Sequence, residues 1–185
     1  MSEAEYLTVQ QALTAVLAGV SVLPAERVSL LDGLGRVLAQ DVVAQESLPP
    51  FANSSMDGYA LIAADLTAAT PESAATLRVI GDVAAGAVLD LTVERGTAVR
   101  IMTGAPMPPG ADAVVPVEDT NEAWRNKERP LPAQIQVTRA VKSGDYIRHP
   151  GEDIEAGHTI LVKGHILRPQ EVGVLASLGV SEVEV

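Results

Sequence analysis

Cysteine is absent from the 185 residues. That excludes a disulfide framework, a thiolate nucleophile and any cysteine-ligated zinc or iron–sulfur centre. Only five residues are aromatic: Tyr6, Phe51, Tyr59, Trp124 and Tyr146. A core must therefore be built from Ala, Val, Leu and Ile, and little is left for the sugar platform of a glycosidase. Basic residues are also few, 13 against 24 acidic ones, for a formal charge of −11. Nucleic-acid binding depends on clustered Lys and Arg, so that balance argues against DNA or RNA as partners. His149, His158 and His165 are the only histidines. They match no zinc spacing and read as surface residues. No basic residue precedes Arg27, whereas Glu3 and Glu5 stand near the start, so the basic region of a secretory signal is missing. The longest apolar run, Leu13 to Leu23, is broken by Thr14 and Ser21 and is too short to cross a bilayer. A cytoplasmic protein without a membrane segment is expected.

What is present is a chain long enough for one large domain or two small ones. Thr8-Val9-Gln10-Gln11 fits a capping box, and Val9, Ala12, Leu13, Val16, Leu17 and Val20 fall on one face, which predicts a helix with that face buried and an end between Gly19 and Pro24. Strands are expected at Glu26–Leu30, Arg36–Ala44, Gly58–Ile62, Leu77–Ile80, Ala98–Met102, Ala113–Val117 and Gln134–Thr138. A hairpin about Lys163-Gly164 should join Thr159–Val162 to His165–Leu167. Pro169 suits the first position of a second helix running to Gly179, and Ser181–Val185 alternates as a last strand. Trp124, in a polar loop from Asp119 to Pro132, is expected to pack locally.

Pro49 to Ala60 gathers the most residues of special conformation. Two prolines stiffen the approach, Asn53, Ser54 and Ser55 supply polar groups for nearby backbone, and Asp57-Gly58 forms a turn dipeptide whose glycine can take φ > 0. Asp57 either closes the turn onto its own backbone or faces outward. A second loop, Thr103 to Asp112, lies between two strands. Prolines at 106, 108 and 109 cannot donate, so any anion there must use Thr103, the N–H groups of Gly104 and Ala105, or Arg100. It is either a structural crossover or a ligand cradle, but not a P-loop, since no Lys-Ser/Thr follows Gly110. A third loop, Tyr146 to Asp153, places two bases beside two acids. No dinucleotide fingerprint and no Gly-x-Ser-x-Gly elbow is present. What remains is metal or anion handling by Asp57, Asp112, Glu118 and Asp153, hard oxygen ligands suited to Mg²⁺.

The stretch Pro-Pro-Phe-Ala-Asn-Ser-Ser-Met-Asp-Gly-Tyr-Ala closely resembles the first signature of MoeA-type molybdopterin molybdenumtransferases, the family that includes the E domain of gephyrin. Arg100 to Val115 resembles the second signature and Tyr146 to Asp153 the third. The resemblance implies a mixed, β-rich α+β fold: a small α/β linking and dimerising module from residues 1–48 and 145–185, with a β-rich module at 49–144 that carries one wall of the cleft. It implies catalytic roles for Asp57, Thr103 and Asp153, contacts to the pterin from Ser54, Arg100, Asp112 and Arg148, and Glu118 as a metal ligand. The implied substrates are adenylylated molybdopterin and molybdate, with Mg²⁺ as cofactor. A homodimer is the implied assembly, and a molybdopterin-adenylylating enzyme is a further partner. The likeness spans about the first 40 to 45 per cent of a family member, so turnover is not expected of this chain alone. A stand-alone binding or dimerisation module without catalysis is the alternative.

Overall fold

The computed structural model describes residues 6–87, 91–122 and 130–185, so Trp124 lies outside the described residues. In chain order the elements are α1 (Val9–Leu17), β1 (Arg27–Ser29), β2 (Val42–Val43), β3 (Asn53–Ser54), β4 (Gly58–Leu61), β5 (Ala75–Val83), β6 (Thr97–Ile101), β7 (Ala113–Pro116), β8 (Gln134–Val137), β9 (Ile147–Arg148), β10 (Thr159–Leu161), α2 (Pro169–Ser177) and β11 (Glu182–Glu184). The fold is mixed and sheet-rich, as the sequence implies. It divides into two compact units: Met1–Val42 with Leu161–Val185, here the terminal unit, and Val43–Ile160, the inserted unit. Boundaries were expected near residues 48 and 145. They lie further out because the Leu48 N–H donates to the Ile154 carbonyl at 2.7 Å and Asn53 registers with Arg148, which ties 43–48 and 145–160 into the inserted unit.

The inserted unit is organised on a five-stranded sheet of order β7-β4-β6-β5-β8, antiparallel except for the β5–β6 pair. Alternation places Tyr59, Leu61, Leu77, Val79, Ala113, Val115, Ile135 and Val137 in one core, under Ala63, Leu66 and Ala69. Ala60, Val99, Ile101 and Val114 point into a second core with Val93 and Ala105. Both faces are thus covered, which is why β4 and β7 read as unbroken apolar runs. Residues 79 and 83 would share a face in a regular strand. A register shift at Ile80 makes Val79 oppose Ala98 but Gly81 oppose Val99, so Val83 turns into the second core.

In the terminal unit, the Thr8 hydroxyl accepts from the Gln11 N–H and the Gln11 side chain accepts from the Thr8 N–H at 2.8 Å, the expected capping box. The expected buried face is not observed: no α1 residue is buried, and Val9 and Val16 are 88% and 68% exposed. β1 and β11 form an antiparallel ladder with Val28 opposite Val183. The hairpin about Lys163-Gly164 does not form. Instead the Leu38 N–H donates to the His165 carbonyl and the Leu167 N–H to the Arg36 carbonyl, both at 2.9 Å, an arrangement that buries Leu38 and Leu167. For the same reason Arg36–Ala44 is not one strand but an isolated bridge at Val37 followed by β2. Pro169 opens α2 and Gly179 ends it at φ 74°, as expected.

His165 differs from the surface reading. Its Nε2 is buried and lies 3.3 Å from Glu171 Oε1, outside hydrogen-bond alignment. Glu171 is itself buried and accepts from the Arg168 Nη2 at 2.5 Å, Nε at 3.1 Å and backbone N–H at 3.0 Å. The Arg168 guanidinium holds the Glu171 carboxyl down to about 2, with His165 adding to the effect.

Candidate functional site

Residues 48–55 are the spine on which the three signature loops assemble. On one edge, the Gly104 N–H donates to the Ser54 carbonyl at 2.8 Å, the Ser54 N–H to Ala105 at 3.1 Å, and the Met107 N–H to Ala52 at 2.9 Å. On the other, β3 pairs with β9 so that Asn53 opposes Arg148 and Ser54 opposes Ile147. The Gly151 and Asp153 N–H groups donate to the Pro49 and Leu48 carbonyls at 3.0 and 2.9 Å. Extended entry through two prolines leaves both strand edges open for these partners. The loops are far apart in sequence, yet backbone bonds place them side by side.

Asp57 does not close the turn onto its own backbone. Its Oδ1 accepts from the Thr103 N–H at 2.7 Å and from the Thr103 hydroxyl at 2.8 Å, clasping the first loop to the second. Thr103 is exposed and Asp57 half-buried, so the clasp sits at the surface. Gly58 was expected to serve by a positive φ, but it is needed for a close approach: a Cβ there would lie 2.0 Å from the Val115 carbonyl oxygen. The Asp57 carbonyl accepts from the Val117 N–H at 3.1 Å, which brings exposed Glu118 to the same end of β4.

Arg148 donates to Asp153 Oδ2 at 2.5 Å and lies 3.6 Å from Glu152. Its guanidinium is raised above the ordinary value, chiefly by the hydrogen bond to Asp153 and then by that residue's charge. Ser54 is fully buried, its hydroxyl donating to the Met56 carbonyl at 2.6 Å, so it shapes the Asp57 loop from within. Arg100 lies in β6 opposite Tyr59, not in the loop, and its side chain meets Asp82 at 3.3 Å. Asp112 is at the far end of β4, where its Oδ1 accepts from the Ala63 N–H at 2.7 Å. The structure thus joins Asp57 to Thr103 and Arg148 to Asp153, sets Glu118 beside Asp57, and holds Asp112 apart. Among the described residues no three His, Cys, Asp or Glu side chains converge as a metal site, so the Mg²⁺ ligand set expected from the four carboxylates is not assembled within them.

Sequence reading passed over Tyr146. Its φ is 59°, rare for a side-chain-bearing residue; its carbonyl accepts from the Ser55 N–H at 3.0 Å and it packs against both cores. The signal was its place directly after Gly144-Asp145, where a tight turn needs φ > 0 and no second glycine is supplied.

The matching family profile is the MoeA N-terminal region (domain I and II), and it covers residues 7–179. The chain belongs to the MoeA family. This MoeA chain is 44% identical over 158 residues to molybdopterin molybdenumtransferase 2 of Mycobacterium tuberculosis, covering 85% of the chain and 37% of that protein. It is 38% identical over 182 residues to the molybdopterin molybdenumtransferase of Synechococcus elongatus, covering 97% of the chain and 43% of the relative. A crystal structure of the molybdopterin biosynthesis moeA protein from Pyrococcus horikoshii superposes with a TM-score of 0.84 at 37% identity, over 95% of this chain and 45% of that one. The MoeA chain therefore spans about two fifths of the length of the relatives it matches.

Proposed function

We propose that the chain supplies the N-terminal part of a molybdopterin molybdenumtransferase, which inserts molybdate into adenylylated molybdopterin. The observation that carries this reading is the clasp of Asp57 on Thr103 within three interlocked loops, because positioning by rigid loops is how such a site would hold a pterin. Asp153, oriented by Arg148, is the third functional side chain; Glu118 and Arg100 support the site, while Ser54 and Asp112 fix the ends of the Asp57 loop and its strand. Any Mg²⁺ would need further ligands from beyond the described residues, and no step is derived through it.

The assembly is a homodimer through α1. A nine-residue helix is marginal on its own, and Val9, Leu13, Val16 and Leu17 stay exposed until a second copy covers them. A cytoplasmic setting and contact with a molybdopterin-adenylylating enzyme complete the proposal. Among the described residues no helix is long and apolar enough to cross a membrane.

The test is a chimera in which this chain replaces the matching 43% of the Synechococcus elongatus relative. Given adenylylated molybdopterin and molybdate, the chimera should form active cofactor, and the isolated chain should not. A folded chimera without activity would overturn the proposal.

A further inference from the structure

The sequence offered four residues, Thr103, Gly104, Ala105 and Arg100, by which the Thr103 loop could cradle an anion, and the structure engages each of them elsewhere. The Thr103 N–H and hydroxyl both donate to Asp57 Oδ1. The Gly104 N–H donates to the Ser54 carbonyl at 2.8 Å and the Ala105 N–H to the Met102 carbonyl at 3.0 Å. Arg100 is engaged with Asp82 in the body of the sheet, its side chain 12% exposed. A hydroxyl has one proton. Once that proton is given to Asp57, Thr103 Oγ turns only lone pairs outward. Beside it stands Asp57 Oδ2, also an acceptor. At Thr103 to Ala105 the exposed lip therefore accepts hydrogen bonds and has no backbone or hydroxyl donor to give, so an oxyanion would meet unfavourable lone pairs and negative charge there.

A magnesium ion is the first cation to consider, but it favours sites with one or two carboxylates in near-octahedral geometry. Here Asp57 Oδ1 already takes two hydrogen bonds and Asp153 is paired with Arg148, which leaves neither carboxylate with both oxygens free for an octahedral ion. A planar edge with adjacent N–H donors fits better. We propose that Asp57 Oδ2 and Thr103 Oγ receive the amino and ring N–H groups of the pterin's aminopyrimidinone edge, and that this loop holds neither molybdate nor the phosphate. This deepens the pterin reading of the site and rests on it. Thr103 then sets specificity through the direction of its one hydroxyl proton, and Asp57 sets that direction.

The experiment follows backbone amide NMR shifts of Asp57, Thr103 and Gly104 in the whole chain. The probes are free pterin (2-amino-4-oxopteridine), molybdate, inorganic phosphate and Mg²⁺, each added alone. Pterin should move the three amides, and molybdate and phosphate at the same concentration should not. Thr103→Val, which keeps the backbone bond to Asp57 but removes the acceptor, should weaken pterin binding about tenfold, and Thr103→Ser should stay within about twofold of the parent. Shifts driven by molybdate or phosphate, by Mg²⁺ but not pterin, by pterin equally in Thr103→Val, or by no probe at all would each overturn the proposal. The chimera separates the two levels. If only the polarity is wrong, an oxyanion or Mg²⁺ moves the amides and Thr103→Val still lowers cofactor formation. If the site reading is wrong, no probe moves them and the variant inserts molybdate at the parent rate.

Discussion

In the inserted unit Tyr59, Leu61, Ile101 and Ile135 are fully buried, while in the terminal unit Val9, Leu13, Val16 and Leu17 stand in the open. Apolar side chains are abundant in both. A five-stranded sheet can cover its two faces with its own loops, and each buried Leu, Ile or Val then contributes about 1.5–3 kcal/mol. Among the described residues the terminal unit has a three-residue ladder, an isolated bridge at Val37 and one helix that buries Leu175 with which to do the same. It satisfies Leu38, Leu167 and Leu175 and leaves α1 bare. The difference separates a part that is complete as a scaffold from a part whose exposed stripe asks for a second surface.

The comparison breaks most readily at Gly58. Its Ala variant puts a Cβ 2.0 Å from the Val115 oxygen, and pushing β4 from β7 should cost about 3 kcal/mol or more by denaturant titration. A variant as stable as the parent would mean that the sheet centre is looser than its burial indicates. Asp57→Ala in the chimera should lower cofactor formation about 100-fold by freeing the Thr103 loop. Its melting temperature should barely change, since the sheet beneath keeps its packing; equal loss of fold and activity would show that the clasp belongs to the scaffold. Leu13→Glu sharpens the other side: light scattering should report a dimer for the parent and a monomer for the variant, with the sheet's unfolding midpoint unmoved. A parent that is already monomeric removes the dimer proposal.

Acid tests the buried carboxylate of Glu171 in the terminal unit. Glu171 has its carboxyl lowered from 4.5 to about 2, so its contribution is fully present above about 4.5 and is lost as the pH falls through about 2. Glu171→Gln should be less stable at neutral pH and should lack that part of the acid dependence, measured by thermal melts in steps between the two values. The smallest effect is expected at Thr8. Its Ala variant loses the cap of α1, about 1 kcal/mol of local helix stability, read as faster amide exchange at Val9 to Gln11.

Local chemistry was legible in the sequence wherever neighbours decide it. The Thr8–Gln11 capping box, Pro169 at a helix start, Gly179 at a helix end and the β-branched runs of β6 and β7 all signal their elements within a few residues. Partners at long range were not legible. Nothing local says that Asn53 will pair with Arg148, that Leu38 will take the strand partner offered to Thr159–Val162, or that Asp112 will spend its carboxylate on Ala63. His165 looked exposed because a glycine precedes it, and only tertiary packing brings Glu171 within reach. At the site, residue types suggested donors for an anion at Thr103, Gly104 and Ala105. Three-dimensional neighbours consumed those donors, which leaves the loop presenting hydrogen-bond acceptors at Asp57 and Thr103 instead.

The extra residue at Ile80 turns the length of β5 into a matter of odd and even. Leu77 and Val79 serve one core and Val83 the other only because a single position is skipped between them. Deleting Ile80 alone would close the bulge into a regular strand and leave Asp82 and Val83 on their present faces. Removing Gly81 as well would rotate everything beyond by one face, carrying Asp82 to the side of the second core and Val83 away from it. Related chains should therefore tolerate the loss of the one bulged residue here but not of a second, while the 67–74 connector, bound by no such parity, can drift in length one residue at a time.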